Sequence, residues 1–319
     1  QRRAEPGQLE QDDVVAPESV DEGVPDRTGL GHPVDEDGRH RRDATGGGPV
    51  APGSTPYPRP MTVAGVPVIC EIEPATRPEL MHVRHQIGVL STIASAFLIP
   101  DNHIGRATVS SIAVAHEVAQ MGGRSIACLN ARDRNLLGFR RDLLTAAAYG
   151  VDEFLFVYGD RPESGKRSDD LTVRLMIEEA RSFAATHDAA TGPFRIGVTT
   201  GLRPLPAWKQ EADSLFVQVG FDVDALVAWR ETVDFAGPVY AGVMVIASAA
   251  MARKLSHDIP QLAVPEDVVA AIETDRDAGV ALACDLVERI GATGAFDGIH
   301  LIPVSRYRDV AQRLESSSR

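Results

Sequence analysis

The sequence predicts a (β/α)8 TIM barrel over residues 61–319, preceded by a disordered N-terminal extension. Three observations carry this prediction. From Pro67 onward, eight short apolar runs alternate with amphipathic stretches, which is typical of a parallel sheet with crossover helices. Eight strand–helix units in about 250 residues match a closed barrel. The first apolar run leads into Glu71-Ile72-Glu73-Pro74 and not into the glycine-rich phosphate loop that an open, doubly wound sheet favours.

The predicted elements follow from hydrophobic periodicity. The eight strands are expected at 67–73, 94–99, 125–129, 153–158, 194–199, 215–219, 239–246 and 298–304. Helical patterns lie between them at 108–120, 136–149, 171–185, 223–232 and 268–290, and the segment 306–314 closes the chain.

Residues 1–60 differ in composition from the rest. They contain twelve acidic residues and seven arginines, with Tyr57 as the single aromatic and no Ile, Phe or Trp. Such a segment cannot bury enough apolar surface to offset its ordering entropy, so the sequence predicts disorder. The segment is either an interaction tail or a dispensable extension, the latter including sequence upstream of a natural start at Met61.

Composition also limits the class of partner. A net charge of −13 argues against binding to a nucleic-acid backbone. No apolar run approaches the roughly 18 residues that a membrane span needs, and none has the flanks of a signal peptide. Cys70, Cys128 and Cys284 are far apart and match neither a disulfide framework nor a zinc site, which predicts a metal-free cytoplasmic protein.

Polar clusters follow most of the first six predicted strands. In a barrel these positions converge on the rim at the carboxyl ends of the strands, where barrel enzymes place their active sites. A single acidic residue after a strand is often only a helix cap, but capping alone does not explain so many clusters. The clusters contain Glu71 and Glu73, Asp101-Asn102, Asn130 with the run Arg132 to Asn135, Tyr158-Gly159-Asp160, Thr199-Thr200, and Gln218.

Glu71 is the leading catalytic candidate. Side chains alternate along a strand, so Ile69, Glu71 and Glu73 share one face while Cys70 and Ile72 share the other. The apolar pair suits the layer beneath the helices, which places both glutamates in the barrel mouth, roughly 7 Å apart. Partial removal from water favours a protonated carboxyl group, which can act as a general acid. The alternative is a structural ion pair with an arginine such as Arg134.

Two further positions are candidates for ligand contact. Gln218 lies in an apolar strand, where an amide is costly without a partner, so it either contacts a ligand or belongs to a buried hydrogen-bonded layer. Asp160 follows Gly159, which permits close approach of a ligand to the backbone; the alternative for Asp160 is a helix cap.

The rim residues, in this order, resemble those of the methylenetetrahydrofolate reductase family over roughly residues 66–305. The matching pieces are Asp101-Asn102 with Gly105-Arg106, then Arg132-Asp133-Arg134-Asn135, then Asp142-Leu143-Leu144, then Gly159-Asp160 with Pro162. The resemblance implies reduction of a methylene bridge on a reduced folate, with NAD(P)H as the hydride donor and FAD as the usual flavin.

The resemblance also implies residue roles. Glu71 matches the presumed general acid, Asp160 the aspartate that contacts the pterin, and Gln218, with Phe221 close behind it, the folate-holding glutamine. The positions implied to contact the cofactor are Asn102, Asn130, Arg134, Tyr158 and Gly159.

Some positions depart from the family pattern. Cys128 stands where a histidine usually contacts the flavin, and the segment available for a phosphate-holding helix is little more than 206–213. Folate binding is therefore better supported than FAD binding, and direct hydride transfer from a nicotinamide without flavin, as in some members of the family, stays open. Two other functions stay open: another folate-dependent C1- or methyl-transfer enzyme on the same barrel, and a non-catalytic partner subunit. The sequence leaves open whether the chain forms a homo-oligomer.

Overall fold

The computed structural model describes residues 62–160, 163–258 and 262–317. The predicted disordered tail, residues 1–60, lies outside these ranges. Within them the chain folds as a (β/α)8 barrel, as the sequence predicts. No helix in the described ranges is both long and apolar enough to cross a bilayer.

In the described ranges, nine strands form one sheet. Strands β2 to β9 pair in parallel, each with the next, and β9 pairs with β2 to close the barrel. The predicted strands are confirmed with ends shifted by a few residues. The strands are β1 Thr62–Val63, β2 Val66–Glu71, β3 Ala96–Ile99, β4 Ser125–Asn130, β5 Glu153–Val157, β6 Arg195–Thr200, β7 Ser214–Val217, β8 Val239–Met244 and β9 Gly298–Ile302.

The short strand β1 was not predicted. It pairs antiparallel with the start of β2 through a two-residue turn at Ala64 and Gly65, whose φ angles are 51° and 81°. Positive φ at both central residues is the pattern of a tight hairpin turn.

Helices surround the barrel. Their bounds are α1 Met81–Leu90, α2 Ser111–Gln120, α3 Leu136–Ala148, α4 Val173–Thr191, α5 Val223–Glu231, α6 Ala249–Asp258, α7 Glu266–Thr274, α8 Ala278–Thr293 and α9 Tyr307–Ser317.

The helix prediction was wrong in one region. The single helix expected at 268–290 is two helices, α7 and α8, because the Asp275 carboxylate accepts a 2.9 Å hydrogen bond from the Asp277 backbone N–H and turns the chain between them. The predicted ranges also lacked α1 and, later in the chain, α6. Helix α6 begins after Ser248, whose hydroxyl accepts a bond from the Met251 N–H.

Two apolar layers enclose the sheet. The outer one lies between strands and helices and contains Cys70 and Ile72. The inner one fills the barrel and contains Ile69, Cys128 and Phe216. The strand alternation predicted for β2 is therefore confirmed, and Glu71 shares the inward face of Ile69. All three cysteines are buried and none is disulfide-bonded.

Candidate active site

Glu71 is the last residue of β2, at the carboxyl end of the barrel. Its side chain is 15% exposed, so it is largely removed from water yet still reachable from the mouth. The predicted position in the mouth is confirmed for this residue. The predicted alternative partner, Arg134, instead pairs with Asp101 and Asp142.

The neighbour of Glu71 is His300, on the adjacent strand β9. The Glu71 Oε2 lies 3.3 Å from the His300 Nε2, but His300 Nε2 makes no aligned hydrogen bond within the described residues. The His300 side chain is 10% exposed, and its ring packs at a steep angle against Phe216, with ring centroids 5.6 Å apart. The sequence-based reasoning missed His300. The available signal was a single ionisable residue on the inward face of an otherwise apolar strand.

Glu73 does not share the environment of Glu71. The strand ends at Glu71, and the side chain of Glu73 is exposed. Its backbone is fixed by the fully buried Gln86 of α1, which accepts from the Glu73 N–H at 2.9 Å and donates to the Glu73 carbonyl at 3.0 Å. Of the two glutamates, Glu71 alone is both inward-facing and shielded.

Gln218 and Phe221 line a cavity of about 400 Å3 on the β6–β7 side of the mouth. Gln218 follows the end of β7, and its side chain is exposed to the cavity and not part of a buried layer. Its backbone N–H is held by the Thr200 carbonyl at 2.8 Å. Asp222 next to Phe221 is already used as the N-cap of α5, accepting from the Ala225 N–H at 3.1 Å. The backbone of Gln218 is thus held by a hydrogen bond, and its side-chain amide faces the open cavity.

The opposite side of the mouth, after β3 and β4, is a closed polar network. The buried amide of Asn130 donates to Asp101 at 2.8 Å and to Asp133 at 2.9 Å, and Asn102 donates to the same Asp133 oxygen. Arg134 donates to Asp101 at 2.7 Å and also pairs with Asp142. Burial and these carboxylates act in opposite directions on the Arg134 guanidinium, and the net effect raises its pKa. Asn102, Asn130 and Arg134, predicted to contact a cofactor, bond here to the protein itself.

Gly159 has a φ of +91°, and a Cβ placed there would lie 2.8 Å from the Asn130 Cβ. The group that approaches this glycine closely is therefore the Asn130 side chain. The following Asp160 is exposed and accepts a 3.0 Å bond from the Ile104 N–H. Ile104 has a φ of +57°, which is costly for a β-branched residue, so Asp160 helps to hold a strained rim loop.

Tyr158 lines a second cavity, of about 480 Å3, between the ends of β5 and β6 and the start of α4. Its ring lies 4.8 Å from the Arg132 guanidinium carbon. Across the cavity, Lys209 donates to the Thr199 carbonyl at 2.7 Å and lies 5.4 Å from the Trp208 ring centroid. Burial lowers the pKa of the Lys209 amine. This cavity combines aromatic faces with positive charge.

Comparisons with known proteins establish the fold. No family model matches the chain, and no curated relative does. An uncharacterised Clostridium thermocellum protein, described as binding two copies of 5-methyl-5,6,7,8-tetrahydrofolic acid, is similar in structure with a TM-score of 0.52. It is 10% identical in sequence, over 81% of this chain and 96% of its own.

Two other similar structures are more distant. A Rhizomucor miehei β-1,3-glucanosyltransferase has a TM-score of 0.46 at 12% identity, over 74% of this chain and 86% of its own. A tryptophan synthase chain from M. tuberculosis has a TM-score of 0.43 at 11% identity, over 80% and 94%. At 10% identity, the likeness to the Clostridium thermocellum protein shows the barrel fold and not the reaction.

Proposed function

We propose that this chain binds a reduced folate in the barrel mouth and reduces its methylene bridge to a methyl group, using NAD(P)H. The observation that carries the proposal is the shielded Glu71 carboxyl group on the inward face of β2, 3.3 Å from an imidazole nitrogen that has no aligned partner in the described residues. A buried, reachable acid at the carboxyl end of a barrel strand suits proton donation to a bound ligand.

The chemistry requires an acid of this kind. The methylene bridge joins two nitrogens, and protonating one of them opens the ring to an iminium on the other. Glu71 donates that proton: its O–H bond breaks, an N–H bond forms, and a carboxylate remains. NAD(P)H, when bound, would supply the hydride for the iminium carbon.

Gln218 and Phe221 serve the ligand's orientation. The exposed amide of Gln218 offers both a donor and an acceptor to the edge of a pterin, while the half-buried ring of Phe221 offers an apolar face. Asp160 contributes the carboxylate oxygen that does not hold Ile104. Orientation of the reacting carbon is a large part of catalysis in such a site.

We propose that the cavity at Tyr158 and Lys209 holds the dinucleotide. Tyr158 and Trp208 provide faces for a planar base, and Lys209 and Arg174 provide positive charge for phosphates. These residues would hold the NAD(P)H while the folate lies on the Gln218 side.

In methylenetetrahydrofolate reductases certain positions contact a flavin. The residues that this chain has at those positions suit FAD poorly. Cys128 is a buried thiol whose pKa is raised by desolvation and by the nearby Asp101 and Glu71 carboxylates, so it stays neutral. The Asn130 amide is already bonded to Asp101 and Asp133. We therefore propose hydride transfer without flavin, and purified protein should be colourless above 400 nm.

The ligand recorded for the structurally similar Clostridium thermocellum protein supports the choice of a reduced folate as the ligand to test. The same ligand suits a folate-dependent methyl-transfer enzyme. Binding of folate without reduction by either nicotinamide would favour that second function.

The test is turnover of 5,10-methylenetetrahydrofolate with NADH or NADPH, followed as loss of nicotinamide absorbance and gain of 5-methyltetrahydrofolate. Glu71→Gln retains size and hydrogen bonding but cannot donate the proton, so we expect turnover to fall by about 10²–10⁴-fold with unchanged folding. Glu73→Gln, on the exposed neighbour, is the matched control and should stay near wild type. Equal turnover in wild type and Glu71→Gln would refute the proposal.

A further inference from the structure

His300 is a buried ionisable residue that the proposed chemistry does not yet use. Its Nε2 is enclosed by protein and has no aligned hydrogen bond within the described residues. Leaving such a group unsatisfied lowers the stability of the fold. An apolar ring would pack against Phe216 without burying an unsatisfied polar atom. Packing alone therefore does not explain the imidazole.

The surroundings of the imidazole point to one partner. His300 is in register with Ile69 on β2, which is apolar, and with Gly242 on β8, which has no side chain. Phe216 on β7 covers its edge. The ionisable group beside it is the Glu71 carboxyl group, and the buried Cys128 thiol on β4 has a raised pKa and stays neutral. A small rotation of either side chain converts the 3.3 Å contact into a hydrogen bond.

We infer that His300 is a positioning residue for Glu71, donating its Nε2–H to the Glu71 Oε2. This inference rests on the proposed role of Glu71 as the proton donor. With Oε2 occupied, the acid proton lies on Oε1. After that proton passes to the substrate nitrogen, the remaining carboxylate keeps a donor beside it, and no electrons move through His300.

The opposite tautomer has the opposite effect. If Nε2 were bare, the protonated Glu71 would donate to His300 and its proton would be turned away from the ligand. The proposal therefore requires the tautomer with hydrogen on Nε2, and that can be measured without any turnover.

The first test uses ¹⁵N NMR of the imidazole nitrogens in the full chain. The signals of His300 are identified among the nine histidines by their loss in His300→Gln. We expect a protonated Nε2 in wild type and loss of that tautomer preference in Glu71→Leu. A bare Nε2 in wild type, or identical spectra in the two proteins, overturns the inference.

The second test uses turnover. His300→Phe fills the same space without a donor, and we expect kcat to fall by about 10–100-fold, the usual worth of one hydrogen bond to a charged group, while KM for the folate changes little. His300→Gln retains a donor and should recover most of the loss. Equal loss in His300→Phe and His300→Gln would indicate a structural role only.

A double variant distinguishes a failure of the positioning role of His300 from a failure of the proposed function of Glu71. On the Glu71→Gln background, His300→Phe should add almost no further loss, because its effect passes through Glu71. A full additional loss on that background refutes the positioning role while leaving Glu71 as the acid. Normal turnover in Glu71→Gln refutes the proposed function, and the NMR result then decides the Glu71–His300 contact by itself.

Discussion

The two sides of the barrel mouth use similar residue types in different ways. After β3 and β4, the polar side chains of Asp101, Asn130 and Arg134 bond to one another and leave little for a ligand. Around β7, β9 and β2, Gln218 faces a cavity, and Glu71 lies beside an imidazole nitrogen that has no aligned partner among the described residues. We call the first side the frame, because its polar side chains bond to one another and hold the loops in place. The second side has hydrogen-bonding groups that the described residues leave unused.

This difference in hydrogen bonding means that one side of the mouth is expected to stabilise the fold and the other to bind a ligand. Buried polar groups that are satisfied within the protein stabilise one conformation, while groups left unsatisfied lower stability unless a ligand completes them. Substitutions on the two sides should therefore change different measured quantities.

The largest expected effect on the frame is that of Arg134→Met. This change leaves the shielded Asp101 and Asp142 carboxylates without their cation, and breaking a buried pair in this way costs about 3–5 kcal/mol of unfolding free energy. Urea denaturation measures it. Arg140→Met, within α3 and in a more exposed pair with Glu179, is the control and should change stability little. Similar midpoints for the two variants would mean that the network does not act as a frame.

Gly159→Ala tests the contact between the frame and the β5 loop. Left-handed backbone costs alanine about 1–2 kcal/mol, and the clash with Asn130 should add about 1–3 kcal/mol. Gly150→Ala, with a φ of +71° and open space around its Cβ position, isolates the backbone cost. Equal melting temperatures for the two variants would show that Asn130 does not need the space at Gly159.

Lys209→Met should have the smallest effect. The half-buried amine is expected to contact a phosphate of NAD(P)H at the edge of the second cavity, so its loss should weaken dinucleotide binding about three- to tenfold, or roughly 0.7–1.4 kcal/mol. Equilibrium dialysis against the dinucleotide measures this directly, and folate affinity should not change. An unchanged dinucleotide affinity would place the hydride donor elsewhere.

Much of the fold was predictable because it depends on the period of the hydrophobic residues and on the lengths of the segments that they form. The alternation of Ile69 and Glu71 against Cys70 and Ile72 placed the carboxylate inside the barrel, and the packing confirms it. The break between α7 and α8 was not predictable from hydrophobicity, since it depends on a local bond from Asp277 to Asp275 within a continuous amphipathic pattern.

The site was predictable only in part. Sequence order identified the rim residues but could not tell which of them bond to one another, because Asp101, Asn130 and Arg134 meet only through parallel strand pairing. His300 was missed because its importance arises from closure of the barrel, which brings the last strand beside the first strand of the closed ring.

The most direct test of the central claim is calorimetric titration of 5-methyltetrahydrofolate into wild type, Gln218→Ala and folded Arg134→Met protein. The account predicts binding to wild type, affinity about 10–100-fold weaker in Gln218→Ala, and affinity close to wild type in Arg134→Met. An absence of binding to wild type at about 1 mM ligand, or a loss in Arg134→Met with none in Gln218→Ala, would contradict it.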